Sequence, residues 1–203
     1  MTTILRQGKI SSASADLEAD LNTSVVGEVR FDEVSRQMYS TDASLYRIEP
    51  IGVVIPRDSS DVQAVLEIAG KNKVSVLPRG GGTGLSGQTV NHAIVLDFSK
   101  YMHEVKEINQ EERWVRTQPG VTIDDLNRQV RHTGLFFTPD PSTSSRANIG
   151  GAMGNNSCGA RSIIYGKTVD QVISMNVVLS DGSPTIFEQL SPRLLESKLK
   201  SEN

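Results

Sequence analysis

Five glycines fall within eight residues directly after an apolar run that ends in proline: Val74-Ser75-Val76-Leu77-Pro78-Arg79-Gly80-Gly81-Gly82-Thr83-Gly84-Leu85-Ser86-Gly87-Gln88-Thr89. The β-branched residues favour a strand, and the glycines accept positive φ without a Cβ in the way. Successive backbone N–H groups of such a loop can face one concavity, a nest whose natural guest is an anion, most often a phosphate. A mobile linker is the bland reading, but linkers are Gly/Ser-rich and are not clamped between apolar strands.

Two familiar phosphate motifs compete for this spelling. Gly82-Thr83-Gly84-Leu85-Ser86-Gly87 fits the G-x-G-x-x-G spacing of a dinucleotide fold, with Ile94-Val95-Leu96-Asp97 as second strand and ribose-binding acid. Gly82 to Thr89 also nearly spells a P-loop, with Asp97 posing as its metal-side aspartate. Both require a helix N-terminus facing the phosphate directly after the glycines. Only Gln88 to His92 separate Gly87 from the next apolar run, too few residues for two helical turns. Gln88 also stands where the P-loop lysine belongs. What remains is a phosphate nest that runs from loop straight into strand.

Composition narrows the class. The 203 residues suffice for one medium domain or two small subdomains. With 37% hydrophobic and 22% charged residues the chain suits a soluble globular protein. A net charge of -3 and scattered aromatics offer nucleic acid no basic surface. Met1 to Ser14 lacks the apolar core of a signal peptide, and no run approaches membrane-spanning length. The lone Cys158 excludes an internal disulfide and fits a reducing cytosol. His92, His103 and His132 lie far apart without ligand spacing, so no metal site is expected.

Along the chain, the first fifteen or so residues are expected to fray, and Asp16 to Asn22 to form a short helix. Gly52 to Ile55 reads as a buried strand. Ser59-Ser60-Asp61 reads as a helix start with a hydroxyl N-cap, and Val62, Val65, Leu66 and Ala69 as its apolar stripe. Strand, helix and the strand Val74 to Leu77 predict a right-handed parallel crossover, which sets the glycine loop at a ligand-collecting sheet edge. Strands follow at Ala93 to Phe98, Glu104 to Ile108 and Trp114 to Thr117, with Trp114 as a strand-packing residue. Thr122 caps a helix lined by Ile123, Leu126 and Val130, with Asp125 in a capping-box position and Gly134 at its end.

From Thr138 to Ala160 the chain turns polar and rich in turn formers: Thr138-Pro139-Asp140-Pro141-Ser142-Thr143, then Ile149-Gly150-Gly151 and Asn155-Asn156-Ser157-Cys158-Gly159. A loop of this length inside a compact domain is functional or disordered, and regular strands resume after it. Ile173, Met175, Val177 and Leu179 alternate with Ser174 and Asn176 as a half-buried strand, Asp181-Gly182 turns, and Thr185 to Phe187 returns. Pro192 to Lys200 reads as the start of a helix, so the chain is expected to stop within an element. A glycine nest for a pyrophosphate and a second loop of small residues and amides together suggest an extended dinucleotide cofactor.

The ordered set Pro78-Arg79-Gly80-Gly81-Gly82-Thr83-Gly84, Ile149-Gly150-Gly151, Asn156-Ser157-Cys158-Gly159, Tyr165-Gly166 and Val177-Val178-Leu179-Ser180-Asp181-Gly182 resembles the FAD-binding domain of the vanillyl-alcohol oxidase / p-cresol methylhydroxylase (PCMH) type. It is most similar to the FAD-linked oxidases of D-2-hydroxy acids, the D-lactate dehydrogenases and the glycolate oxidase D subunit. The resemblance covers about Tyr39 to Phe187. It implies an α+β fold of two α/β subdomains with the flavin between them. Residues 1–45 would be a lead-in, 46–190 the FAD-binding domain divided near residue 100, and 191–203 the start of a truncated element.

The resemblance also implies roles. Arg79, Gly80, Gly81, Gly82, Thr83, Gly84 and Leu85, with Gln88, match the pyrophosphate loop. Pro139, Pro141, Ser142, Thr143, Gly150 and Gly151 match segments beside the isoalloxazine and ribityl chain. Asn155, Asn156, Gly159, Tyr165 and Gly166 match the rest of the second loop, and Ile173 the strand that meets the adenine. Relatives with covalent flavin often carry histidine at the position of Thr83, so noncovalent FAD is expected. Cys158 is expected to be a small packing residue, and Arg161 either pairs with phosphate or substrate carboxylate or is an ordinary solvated arginine. The family's Gly/Ser-Glu-Gly-Thr-Leu-Gly segment and the cap domain that supplies substrate contacts and base are not found in these residues, and no catalytic residue is assigned.

The reaction implied is oxidation of a D-2-hydroxy acid by hydride transfer to flavin N5, with a flavin-binding or electron-transfer module as the alternative. The expected partner is a small hydroxy acid bound through the cap domain. An iron–sulfur domain or electron-transfer partner and a homodimer are compatible with the family. The expected setting is the cytoplasm, with peripheral attachment to the inner membrane face left open.

Overall fold

The computed structural model describes residues 12–201, so the expected frayed start lies largely outside them. Helix α1 (Ser12–Ser24) is longer than the expected segment and buries Leu17 and Leu21 against α3 (Ser59–Asn72). Between them lie β1 (Glu28–Arg30), α2 (Glu33–Met38) and β2 (Gly52–Ile55). After α3 come β3 (Val76–Arg79) and β4 (Ile94–Asp97). The four strands form one sheet in the order β1-β2-β4-β3, with β1 antiparallel and the other three parallel.

The expected crossover from β2 through α3 to β3 is present, and β4 fills the space between the two strands. Strands β2 and β4 are buried at every residue, which explains their unbroken apolar runs. One face meets α3 through Val62, Val65, Ile68 and Ala69. The other packs Val53, Ile55 and Val95 against Tyr39, Leu77 and Tyr101. Each such side chain contributes about 1.5–3 kcal/mol by leaving water.

The α3 cap differs from expectation. The Asp58 carboxylate, not the Ser59 hydroxyl, accepts from the backbone N–H of Ser60 and Asp61 (2.8 and 3.2 Å). A carboxylate there also complements the positive end of the helix dipole. Asp61 itself is buried and accepts from the backbone of Val26, Gly27 and Arg57 (2.8, 3.0 and 2.8 Å). That carboxylate ties the turn after α1 to the turn before α3. The segment before residue 46, expected as a lead-in, thus places α1 and β1 in the first core, with α2 packed beside β2.

A second, smaller core follows. Strands β5 (Val105–Asn109) and β6 (Trp114–Thr117) form a hairpin, and α4 (Ile123–Val130) packs against it. Thr122 caps α4 by accepting from the Asp125 N–H (3.2 Å), and its hydroxyl donates to the Asp125 carboxylate (2.8 Å). Trp114 is half-buried, with its indole N–H on Glu112, as suits a packing residue. The stretch expected as one long loop contains the short helix α5 (Ile149–Asn155), and a second, α6 (Ser162–Tyr165), follows just beyond it. Ile149 and Ala152 of α5 join Val121, Ile123, Leu126 and Val130 in the core.

The chain closes with the hairpin β7 (Ser174–Val178) and β8 (Pro184–Glu188), then α7 (Pro192–Ser201). Strand β7 begins one residue after Ile173, which is 66% exposed rather than half-buried in a strand. The hairpin also leans on the first core: Val178 packs there, and Gln63 of α3 donates to the Gly182 carbonyl (3.4 Å). Among the described residues no helix is long and apolar enough to cross a membrane.

At the edge of the sheet Glu28 accepts from Lys100, Tyr101 and Arg30. The Lys100 ammonium first, then the Tyr101 hydroxyl, hold its carboxyl at about 2, well below the ordinary 4.5, against an opposing push from burial. A depressed carboxyl stabilises fully above its unfolded value, and that contribution is lost as pH falls through the folded one. The expected outcome is that Glu28→Gln flattens part of the stability loss between pH 4.5 and about 2, followed by denaturant titration at stepped pH. Identical acid slopes in the two proteins would show that these contacts contribute nothing.

Candidate functional site

The site begins where β3 ends. Its last residue, Arg79, turns its guanidinium back into the protein: Nη1 donates to the carbonyls of Tyr39 and Thr89 (3.1 and 3.0 Å), and Nη2 to that of Thr41 (2.7 Å). The group also lies over the Tyr39 ring, 5.3 Å from its centre. Burial lowers the pKa of Arg79, partly offset by Asp42, Tyr39 and Asp97. It nevertheless stays charged, because arginine starts so high. The Tyr39 hydroxyl donates to the buried Asp97 carboxylate, and burial followed by that bond raises the tyrosine's pKa. Arg79, expected at the pyrophosphate, therefore acts as a clasp between residues 39–41 and the far end of the glycine loop.

That loop is laced at both ends. Ala43 donates to the Gly82 carbonyl (3.0 Å), and the Thr89 hydroxyl donates to Asp42 (2.7 Å). Burial pushes the Asp42 carboxyl up, but bonds from Ser44 and Thr89 outweigh it and leave the group below its ordinary pKa. Gly82 sits at φ 63, a left-handed conformation that glycine reaches without strain. Gly80 and Gly81 are pressed so closely against Asn148 and the Arg146 carbonyl that a Cβ on either would collide.

The interior of the loop is different. Gly81 donates to the Asn148 side chain (2.6 Å), and Ser86 to Gln88 (3.2 Å). Among the described residues no group accepts from the backbone N–H of Gly82, Thr83, Gly84 or Leu85. Four consecutive donors are thus left without a protein partner, as a nest of the kind expected from the glycine spacing requires, and an anion with several oxygens could satisfy them. Gln88 folds back over Gly84, and Leu85 projects outward at 78% exposure. The Arg79 guanidinium lies against Gly82 but spends its N–H groups on the carbonyls of Tyr39, Thr41 and Thr89.

Across from this loop lies the second segment. Pro139 is buried, while Pro141, Ser142 and Thr143 make a compact turn whose carbonyls accept from Ser144, Arg146 and Ala147. Helix α5 carries Gly150 against Pro119 and leaves open space over Gly151 and Gly154. With Asn155, these lie three and four residues apart, so they share one exposed face without bulk, over which a flat ring can approach the backbone. Asn156 ends α5 in a left-handed conformation and accepts from the Val169 N–H (3.0 Å).

The remaining expected residues are spread out. Gly159 is wedged against Asp140. Arg161 is bound to the same Asp140 (Nε to Oδ2, 3.3 Å) and lies over Phe136, so its charge is already paired within the protein. Tyr165 meets Phe136 edge-on at 6.0 Å, and Gly166 turns at φ 83. Cys158 is exposed and not the packing residue expected. Ile173 lines an open cleft of about 440 Å³ with Met153, Val169, Met175 and Phe187. Inside the second segment the Thr138 hydroxyl is buried without a partner. Among the described residues no three His, Cys, Asp or Glu side chains are placed to hold a metal.

An extended dinucleotide cofactor with a pyrophosphate in the middle fits these features: free N–H groups, a Cβ-free helix face and an apolar cleft. The residue that joins them, Asn148, is not among the expected site residues. Its partners lie 67 and 28 residues away in sequence, and nothing in its local spelling reveals them.

Comparisons agree with the geometry. Residues 50–187 match the family model described as "FAD binding domain". The chain is 40% identical over 178 residues to D-2-hydroxyglutarate dehydrogenase of Escherichia coli (strain K12), covering 86% of this chain and 18% of that protein. It is 39% identical to glycolate oxidase subunit GlcD of Bacillus subtilis (strain 168), covering 78% and 34% respectively. The chain thus spans about a sixth to a third of the curated relatives it matches. In structure it resembles alkyldihydroxyacetonephosphate synthase (TM-score 0.76, 21% identity, 87% of this chain and 35% of that one). It also resembles p-cresol methylhydroxylase with substrate bound (TM-score 0.70, 20% identity, 86% and 34%).

The clasp is testable. Arg79→Lys keeps the charge but cannot serve three carbonyls, so it should lower unfolding free energy by about 1–3 kcal/mol in urea titrations. Unchanged stability with weakened cofactor binding would instead make Arg79 a ligand residue.

Proposed function

The chain belongs to the FAD binding domain family, and from that premise we propose that it is the FAD-binding portion of an oxidoreductase acting on a D-2-hydroxy acid. The observation that carries this reading is the run of unpaired N–H groups from Gly82 to Leu85, opposite a helix face that is open at Gly151 and Gly154. When bound, FAD supplies the hydride acceptor, its N5, for oxidation of the hydroxyl-bearing carbon.

The chain's own residues bind and orient. Gly82, Thr83, Gly84 and Leu85 donate to the pyrophosphate, while Gly80 and Gly81 allow the loop to lie against the second segment. Pro139, Pro141, Ser142, Thr143, Gly150 and Gly151 flank the ring and ribityl chain. Asn155, Asn156, Gly159, Tyr165 and Gly166 complete that wall, and the cleft beside Ile173 takes the adenine. Gln88 closes over the loop. Arg79 supports the site from behind as its clasp.

The FAD is held without a covalent bond, since Thr83 offers no nucleophilic nitrogen and no bond ties Cys158 toward the loop. The hydroxy acid is the substrate class supported by the two relatives named above, D-2-hydroxyglutarate dehydrogenase and glycolate oxidase subunit GlcD. A cap domain, an iron–sulfur or electron-transfer partner and a homodimer rest on the family resemblance alone. The proposed setting is the cytoplasm, where the exposed Cys158 thiol stays reduced.

The test is direct. Purified protein should quench added FAD fluorescence and release all flavin to the supernatant on acid precipitation. Gly81→Val, whose side chain would strike the Arg146 carbonyl, should abolish retention while far-ultraviolet circular dichroism stays close to the wild type. Flavin that stays with the precipitate would refute the noncovalent reading, and absence of any quench would refute the flavin site.

A further inference from the structure

We propose that Asn148 is a positioning residue whose side-chain amide sets the spacing between the two halves of the FAD site; this rests on the flavin reading above. Asn148 directly precedes α5 and is buried at 4% exposure. Its Oδ1 accepts from the Gly81 N–H (2.6 Å), and its Nδ2 donates to the Gly120 carbonyl (2.6 Å). These partners fix which end of the amide is oxygen, because one is a donor and the other an acceptor.

Each partner belongs to a different part of the fold. Gly81 is in the loop after β3. Gly120 lies between β6 and α4, and its N–H donates to Met102 of the first core (2.7 Å). The Asn148 backbone is tied to α4: Ile149 donates to Val121 (2.8 Å), Ile123 to Ala147 (3.0 Å), and Thr122 pairs with Asn148. One amide therefore holds the glycine loop at a set distance from the start of α5, whose open face is the opposite wall of the site.

Asn148 does not cap its own helix, although asparagine is among the best capping residues. Its side chain spends both hydrogen-bonding ends across the fold instead. By taking the Gly81 N–H it also removes that donor from the nest, so that the free run starts at Gly82. Few residues could substitute. Aspartate lacks the donor and buries a charge, serine and threonine are too short, and alanine leaves both partners unpaired in a buried place.

A spacing role and a plain stability role separate by ligand size. Inorganic pyrophosphate engages only the glycine loop, whereas FAD spans both walls. In the full chain, Asn148→Ala should weaken FAD binding at least about tenfold, read by fluorescence quench, because two buried partners lose their bonds. The pyrophosphate response, read from the amide shifts of Gly82 to Leu85, should stay within about twofold, since those donors remain. Gly81 amide exchange should accelerate in the variant while amides of β4 and α3 keep their protection. Asn148→Ser, too short to reach its partners, breaks the same bonds with a polar side chain and should give the same split if Asn148→Ala folds poorly.

Unchanged FAD affinity in either folded variant would overturn the inference. So would a parallel loss of FAD and pyrophosphate binding, which marks a structural role only. A wild-type chain that binds pyrophosphate but no FAD would overturn the flavin reading itself, and the spacing role with it, whatever the Gly81 amide does.

Discussion

Three carbonyls, of Tyr39, Thr41 and Thr89, converge on the guanidinium of Arg79. A charged group half-withdrawn from water needs partners in fixed places, and it is costly to move once they are found. The arginine at the end of β3 therefore fixes both the segment that precedes the sheet's buried strands and the far end of the glycine loop. The loop's own geometry follows. With its ends held by Arg79, by Ala43 on Gly82 and by Thr89 on Asp42, the N–H groups from Gly82 to Leu85 are left without an acceptor among the described residues.

The two cores divide the work. The first is a mixed sheet whose central strands are buried on both faces, with α3 on one side and Tyr39, Leu77 and Tyr101 on the other, and it supplies the edge from which the loop hangs. The second is smaller, a hairpin with α4 and α5, and it supplies the opposing wall. Hairpin β7–β8 bridges toward the first core through Val178 and Gly182, so the division near residue 100 expected from sequence is crossed by later chain. A ligand between such units depends on whatever sets their separation.

Much of this was legible beforehand because the signals are local. The strand runs of β2 and β4, the stripe of Val62, Val65 and Ala69, and the Thr122 cap all follow from periodicity or short-range hydrogen bonding. The glycine spacing points to a nest, and the structure has no helix between Gly87 and β4, as the rejection of the two better-known motifs requires. What escaped was non-local. The resemblance sets Arg79 in the pyrophosphate loop, while the hydrogen bonds of its side chain run to carbonyls 38 to 40 residues upstream and 10 downstream, which local spelling does not reveal. Helix α5 was hidden by glycines of low helix propensity, outweighed by burial of Ile149 and Ala152. Cys158 and Ile173 were expected inward on pattern alone, and both are exposed.

The nest's donors carry no formal charge, and the chain as a whole is at -3. The formal positive charge that stands behind them, the Arg79 guanidinium, has its N–H groups engaged by three carbonyls and contributes through space instead of by direct contact. Retention then leans on the fit of oxygen atoms among N–H groups. A cradle of this kind tells one anion from another by shape more than by charge.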